Sequence, residues 1–402
     1  MTATSPSPSF SLETQHSPVT WIRKNLFNSW MNSFLTVALG GLLIWTAYGF
    51  LSWAFTTAQW RVLPANLPLY FAGRYPAEQY WRLWVCLGLI SFLAGLTWGR
   101  LSRYVSVLFS RGVLIGLGVT AGLAVLIPTP LLYRLLIVGL ILICALGAWG
   151  GRLLAQTVSN LGSLISLAWF LSFFAILWLM LGGLGLPTVS TNAWGGLLLT
   201  LFMSVVSTVL SFPFGVLLAL GRQSSLPVIR WISTIYIELI RGVPLISILF
   251  MGQVMIPLFL PEGMRPDRVL RAIVGLTLFT AAYLAENVRA GLQAVPRGQV
   301  EAARSMGLNT PLTLTLVVMP QAIKIAIPAI VGQFISLFQD TTLVSIVGLL
   351  ELLGISRSII SNPEFLGRHG EVYLFIGLIY WFFCYIMSLG SRKLEEQLDT
   401  EH

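Results

Sequence analysis

Apolar residues occupy the chain in long runs, and polar residues are confined largely to the gaps between them. A helix needs ~20 mostly apolar residues to cross the hydrocarbon core of a membrane. Ten stretches meet or approach that length: Ser33–Phe55, Trp81–Trp98, Gly112–Ile127, Leu131–Trp149, Ser163–Leu181, Trp194–Leu220, Ile232–Leu258, Leu270–Leu284, Ile323–Val347 and Val372–Leu389. The third and eighth are short for a span. Either reads as a tilted helix, or the third and fourth together read as a re-entrant hairpin around Pro128-Thr129-Pro130. The pattern predicts an all-α membrane protein of about ten transmembrane helices.

Composition supports that class. Of 402 residues, 56% are hydrophobic and only 10% charged, against ~25% charged in an average soluble domain. A soluble core cannot absorb so much apolar surface. The net charge of +9 arises from Lys and Arg placed mostly at the ends of apolar runs, which reads as topology and contact with anionic membrane lipids. No basic stripe interleaves with aromatics, so nucleic acid is not an expected partner. Three cysteines sit singly inside apolar runs and three histidines are scattered, so no metal site, disulfide framework or cofactor is expected.

The first twenty or so residues are rich in Ser, Thr and Pro and read as disordered, part of a cytoplasmic tail over 1–30. The run Ser33–Phe55 is too long for the ~7–15-residue core of a signal peptide and reads as a retained first span. With the N-terminus inside, Arg23, Lys24, Arg100, Arg103, Arg111, Arg152, Arg222, Arg230, Arg289, Arg297, Arg304, Lys324, Arg392 and Lys393 fall on the cytoplasmic side. Fewer basic residues, Arg61, Arg74, Arg82, Arg134, Arg265, Arg268, Arg357 and Arg368 among them, fall outside. The bias places both termini in the cytoplasm. Trp45, Tyr48, Trp53, Trp60, Trp81 and Trp84 cluster where the outer headgroup level is expected.

Gly182-Gly183-Leu184-Gly185-Leu186-Pro187 divides the chain. Residues 31–190 read as an N-terminal extension of about five helices, and 191–402 as a second transmembrane domain. In the first, Gly112/Gly116 and Gly118/Gly122 form small-xxx-small pairs of the kind that let helices approach closely. In the second, polar residues fall in ordered patches. Glu238-Leu239-Ile240-Arg241-Gly242-Val243-Pro244 lies inside an apolar run, where a charge costs at least ~2.5 kcal/mol. Glu238 and Arg241, three apart, share a helical face and can neutralise each other. The pair either fixes a helix end near the inner interface or takes part in a substrate path. Gln339-Asp340-Thr341-Thr342-Leu343 follows Gln333 in another apolar helix. Asp340 either lines a path or caps a helix break near the outer surface.

Between these lies Ala285-Glu286-Asn287-Val288-Arg289, then Val295-Pro296-Arg297-Gly298-Gln299 and Glu301-Ala302-Ala303. Pro296 suits a helix start, Glu and Ala favour helix, and Gly307 suits a left-handed C-terminal cap. The expectation is a short surface helix over Gln299–Leu308, whose small side chains admit close approach by a partner. Glu301-Ala302-Ala303, three residues, Gly307, nine residues, then Val317, one residue, Met319 and Pro320 resembles the EAA loop of ABC importer permeases (about 291–322 here).

With Glu238–Pro244, Ala285–Arg289, Gly298–Ala303 and Asp340–Leu343 in one order, residues 190–392 resemble the polar amino acid permeases of binding-protein-dependent ABC importers. Val317 and Met319 replace the usual Ile and Leu, and Gln339 stands where Lys is common. The long N-terminal addition is similar to the M-type subunit of general L-amino-acid importers. The resemblance implies a type I ABC importer permease core of five helices in the C-terminal half. It implies a multi-pass protein of the bacterial inner membrane that moves polar L-amino acids inward. ATP would be hydrolysed by separate ABC ATPase subunits, and a second, homologous permease and a periplasmic or lipid-anchored binding protein would complete the assembly. The chain itself would not be an enzyme, in keeping with the lack of a GxxxxGK[ST] phosphate loop. It assigns Gly298, Glu301, Ala302, Ala303 and Gly307 to ATPase coupling, and Glu238, Arg241, Gln333, Asp340 and Thr341 to a substrate path. The competing expectation is an ion-coupled secondary transporter, which would show internal repeats and leave the EAA-like loop without a purpose.

Overall fold

The structure is a computed structural model that describes residues 18–102, 108–126 and 129–399. The tail before residue 18, Pro128 and His402 lie outside the described residues. These fall into two compact units, 1–59 and 60–402.

The first unit holds α1 (Pro18–Leu26) and α2 (Trp30–Ser52), with a π turn at Trp53–Thr57. Helix therefore starts inside the segment that composition assigns to the tail. Ser29 caps α2, its hydroxyl accepting from the Asn32 amide at 3.2 Å, and Thr36 Oγ1 donates to Leu26 O at 2.9 Å to tie the two helices. No residue of α2 is buried.

The second unit begins with α3 (Val62–Ala72), α4 (Tyr80–Leu101), α5 (Arg111–Leu126), α6 (Leu131–Thr157) and α7 (Leu161–Leu181). Helices α4 and α6 meet through glycine on both sides. A Cβ on Gly95 or Gly99 would collide with the carbonyl oxygen of Cys144 or Ala148, and one on Gly151 with that of Leu96. Lipid is as apolar as leucine, so helices in a membrane gain association energy from close packing, which small residues permit. The expected pairs Gly112/Gly116 and Gly118/Gly122 of α5 meet no described atom within 4 Å. Four-residue spacing identifies a smooth helix face but not the face that finds a neighbour.

The remaining helices are α8 (Gly196–Arg222), α9 (Pro227–Gly242), α10 (Leu245–Phe250), α11 (Ile256–Phe259), α12 (Arg268–Ala294), α13 (Arg297–Ser305), α14 (Thr310–Thr313), α15 (Met319–Asp340), α16 (Leu352–Ile360) and α17 (His369–Asp399). Among the described residues there is no strand, only isolated bridges such as Gly73 with Trp194. Among the described residues, eight helical stretches are long and apolar enough to cross a membrane. The pair Pro227–Gly242 and Leu245–Phe259 is apolar enough as well but is bent by 102°, the form of a broken span or a re-entrant loop. The break has a local cause: Pro244 has no amide hydrogen and drives the preceding Val243 into the extended region, at φ −105° and ψ 133°. Helix α5 is the expected span that falls short, at 16 residues.

Three apolar clusters hold the second unit together. One joins Cys86, Met180, Met203, Leu249, Leu276 and Leu337, so α4 and α7 share a core with α8, α10, α12 and α15. Another seats Val62 and Tyr70 of α3 on Leu197, Leu352, Ile355 and Val372. The third packs Ile237 of α9 among Ala219, Leu284, Ala285, Val288, Ala322 and Ala326. Alanine there permits short interhelical distances, and Gly291 goes further, since a Cβ on it would strike Ala322 O. Polar ties supplement the packing. Arg82, fully buried on α4, donates from Nη1 to Pro187 O at 2.8 Å, and Tyr75 Oη donates to Met180 O at 3.0 Å. Both secure the Gly-rich link that ends α7.

Candidate functional site

Two sites lie on the elements that the polar patches predict. The first is α13. Helix α12 ends at Ala294, Val295 and Pro296 are extended, and α13 starts at Arg297. Its C-terminus is closed by a Schellman arrangement: Leu308 N–H donates to Ala303 O at 3.2 Å and Gly307 N–H to Arg304 O at 2.9 Å. Gly307 has φ +80°, a conformation that carries strain for other residues. Asn309 then starts α14, its Oδ1 accepting from the Leu312 amide at 3.0 Å. The helix runs a little earlier than Gln299–Leu308, because Pro296 already supplies the start.

The five residues assigned to coupling divide by face. Gly298, Glu301, Ala302 and Gly307 are exposed, and a Cβ on Gly298 or Gly307 would enter open space. Ala303 is 1% exposed and faces the protein. Helix α13 rests on α14 and on the π turn Leu314–Val318 that precedes α15. One face therefore anchors the element, and the opposite one carries a carboxylate between small residues, with Met306 beside it 74% exposed.

The second site is an ionic cluster drawn from three helices. Arg222, the last residue of α8, donates from Nη1 to Glu286 Oε1 at 2.5 Å and lies 2.8 Å through Nη2 from Glu238 Oε1. Arg289 grips Glu286 Oε2 with Nε at 3.0 Å and Nη2 at 2.7 Å. Arg241 Nη1 stands 3.7 Å from the same oxygen, and its guanidinium lies over the ring of Tyr283, 5.4 Å from the centroid. Glu286 and Arg289 pair as their three-residue spacing predicts. Glu238 and Arg241 share a face but take their partners from α8 and α12 instead of each other. Arg222 and Glu286, themselves in contact, bring opposite charges from α8 and α12 within 2.8 Å of Glu238 and 3.7 Å of Arg241.

The other path candidates sit apart from this cluster. Gln333 is half-buried within α15. Asp340 closes α15, has αR backbone geometry and offers no side-chain cap to the 3-10 turn Thr341–Ser345. The helix does break there, but the Asp340 carboxylate does not cap the break. Thr341 is fully buried, its hydroxyl donating to Phe338 O at 2.7 Å.

Three residues outside the sequence-based candidates matter here. Arg222 reads from sequence as a mere topology marker, and Tyr283 lies two residues ahead of the Ala285–Arg289 patch. Glu351 carries a usable signal, an acid inside the apolar run Ile346–Ile355. It is fully buried and caps α16, Oε2 accepting from Leu353 N–H and Oε1 from Gly354 N–H, each at 2.8 Å. Tyr380 Oη donates to Oε2 at 3.1 Å. Burial pushes this carboxyl up to about 7 against the three donors, which favour the charged form. Among the described residues no group of three His, Cys, Asp or Glu side chains is placed to hold a metal ion.

Comparison with known proteins returns a consistent set. Residues 211–399 match the family described as binding-protein-dependent transport system inner membrane component. The chain is 38% identical to the inner membrane amino-acid ABC transporter permease protein YhdY of Escherichia coli (strain K12), over 94% of this chain and 93% of that one. It is 36% identical to the glutamate/glutamine/aspartate/asparagine transport system permease protein BztC of Rhodobacter capsulatus, over 96% and 94%. The probable glutamine ABC transporter permease protein GlnP of Bacillus subtilis is 37% identical, covering 50% of this chain with 91% of its own.

Proposed function

The chain belongs to the family of binding-protein-dependent transport system inner membrane components, and from that premise we propose how it works. It is a multi-pass permease subunit of the bacterial cytoplasmic membrane that carries polar L-amino acids inward. Permeases of this family are not themselves enzymes, and the ion-coupled alternative finds no support. ATP is hydrolysed by ABC ATPase subunits on the α13 side. A second, homologous permease completes the pore, and a periplasmic or lipid-anchored binding protein delivers the amino acid. Residues 191–402 form the permease domain proper, and 31–190 are an extension that the half-length relative GlnP lacks room for.

One observation carries this reading: α13 is a short helix held by its inner face and its Gly307 cap, with Gly298, Glu301 and Ala302 turned outward. A nine-residue helix gains little stability alone, so such a built and presented surface suits docking into a partner's groove. When ATP closes the ATPase dimer, a helix seated there moves with it. Through the Leu314–Val318 turn and α15 the displacement reaches the spans, whose packed interfaces have discrete arrangements. Glu238, Arg241, Gln333, Asp340 and Thr341 are proposed to line or gate the path.

The test is affinity purification of this chain from its native membrane after mild solubilisation, with mass spectrometry of the co-purifying proteins. The expected result is an ABC ATPase and a second, shorter permease at matched stoichiometry. Recovery of this chain without an ATPase, under conditions that preserve other membrane complexes, overturns the reading.

A further inference from the structure

The ionic cluster holds three arginines and two glutamates, so it carries one positive charge in excess. The excess is localised. Arg222 bridges both carboxylates, at 2.5 Å to Glu286 and 2.8 Å to Glu238. Arg289 holds Glu286 with two N–H groups. Arg241 is the member left without a hydrogen-bonded acid: its approach to Glu286 is 3.7 Å, and it makes no hydrogen bond among the described residues. A guanidinium presents five N–H donors in a planar fork that matches a carboxylate. Here that fork is steadied on the Tyr283 ring, 5.4 Å from its centroid, and stays over a third exposed. A cation held over an aromatic face is oriented without its in-plane donors being used.

Its place in the fold is equally specific. Arg241 lies in the last turn of α9, one residue before the Gly242-Val243-Pro244 break where the span bends by 102°. In membrane transporters, broken helices expose polar backbone and side chains to the passing substrate. We infer that Arg241, oriented by Tyr283, is the contact for the α-carboxylate of the transported amino acid at the inner end of its path. This inference rests on the chain being the pore subunit of an amino-acid importer, and adds how that pore holds its cargo. Every α-amino acid bears this carboxylate, so the contact selects amino acids as a class and leaves side-chain choice to other groups. Arg222, Arg289, Glu238 and Glu286 neutralise one another around it and supply a fixed frame.

The test uses the whole complex, purified with its ATPase and partner permease and placed in lipid nanodiscs without the binding protein. Equilibrium binding of a ¹⁴C-labelled mixture of L-amino acids is measured for the native complex, Arg241→Gln and Arg241→Lys, each checked for intact subunit stoichiometry. The expected result is at least a tenfold loss of affinity in Arg241→Gln and a smaller loss in Arg241→Lys, which keeps a charge without the fork. An excess of the corresponding decarboxylated amines should fail to compete in the native complex. Native-like binding by Arg241→Gln overturns the inference, as does binding by Arg241→Gln with raised basal ATPase activity, which marks a gate latch only. No binding by the native complex overturns it as well. Failure of the parent reading is seen separately, as a native complex that contains no ATPase.

Discussion

Arg222 and Glu286 stand 64 residues apart in the chain and 2.5 Å apart in space. Their contact locks the end of α8 to α12, and Glu238 draws α9 into the same lock. Glu286 is the common acceptor for Arg222, Arg289 and the more distant Arg241, with 16% of its side chain exposed.

Glu286→Gln should therefore leave several partly buried guanidiniums without their counter-charge. Breaking such a cluster costs about 3 kcal/mol or more, enough to lower the thermal unfolding temperature of the detergent-solubilised complex by several degrees. The exchanged pair Arg222→Glu with Glu286→Arg should recover less than half of the loss, because Arg289 then faces a cation. Unchanged melting of Glu286→Gln would remove the cluster from the structural account.

The α4–α6 crossing makes a different demand. Gly95→Leu places a branched side chain where the Cys144 carbonyl already lies. Overpacking costs ~1–3 kcal/mol when side chains can give way, and backbone gives way less. The expected outcome is a destabilised extension, read as faster proteolysis of the purified chain between α4 and α7. Gly116→Leu on α5, which meets no described atom, should behave as the native chain. Equal proteolysis of the two variants would contradict the crossing.

At α13, Gly307→Asp and Glu301→Lys probe docking. The first strains a backbone at φ +80° and adds bulk to an open face. The second reverses the exposed charge. Both should abolish amino-acid uptake and stimulated ATP hydrolysis while membrane insertion, followed by fractionation, is unchanged. Native uptake in both variants would sink the coupling role of α13.

Glu351 lies between spans and ties α16 to Tyr380 of α17. Its carboxyl is raised by burial from 4.5 to about 7 in the folded protein. A folded-state value above the unfolded one means that the folded state binds the proton more tightly. The contribution to stability is then full below about pH 4.5 and is lost as pH rises through about 7. Thermal stability should fall from pH 6 to pH 8, and Glu351→Gln, which keeps the shape without the titration, should flatten that slope. Parallel pH profiles for the two proteins would assign the dependence elsewhere.

Much of this was legible in the chain alone. Long apolar runs need no tertiary information to declare membrane helices, since each satisfies its own backbone hydrogen bonds. Pro296, the alanines and Gly307 likewise specify α13 locally, through capping and propensity. The bend at Val243-Pro244 is equally local, although the run Ile232–Leu258 hides it from a hydropathy count. Other features were not legible. Gly112/Gly116 and Gly95/Gly99 look alike as sequence, yet only the latter pair meets another helix closely. Glu238 and Arg241 look like mutual partners, yet each binds across to another helix.

The sequence by itself determined the class of the protein, most of its spans, the short helix α13 and the family, because these rest on composition, on short-range backbone chemistry and on motifs with fixed spacing. Tertiary structure alone decided which charges pair, which arginine is left over, which glycines are pressed against a neighbour and which of the three residues Glu301, Ala302 and Ala303 turns inward. Those outcomes depend on contacts between residues far apart in the chain. Partner choice there is settled by distance and geometry across helices, which no local pattern encodes.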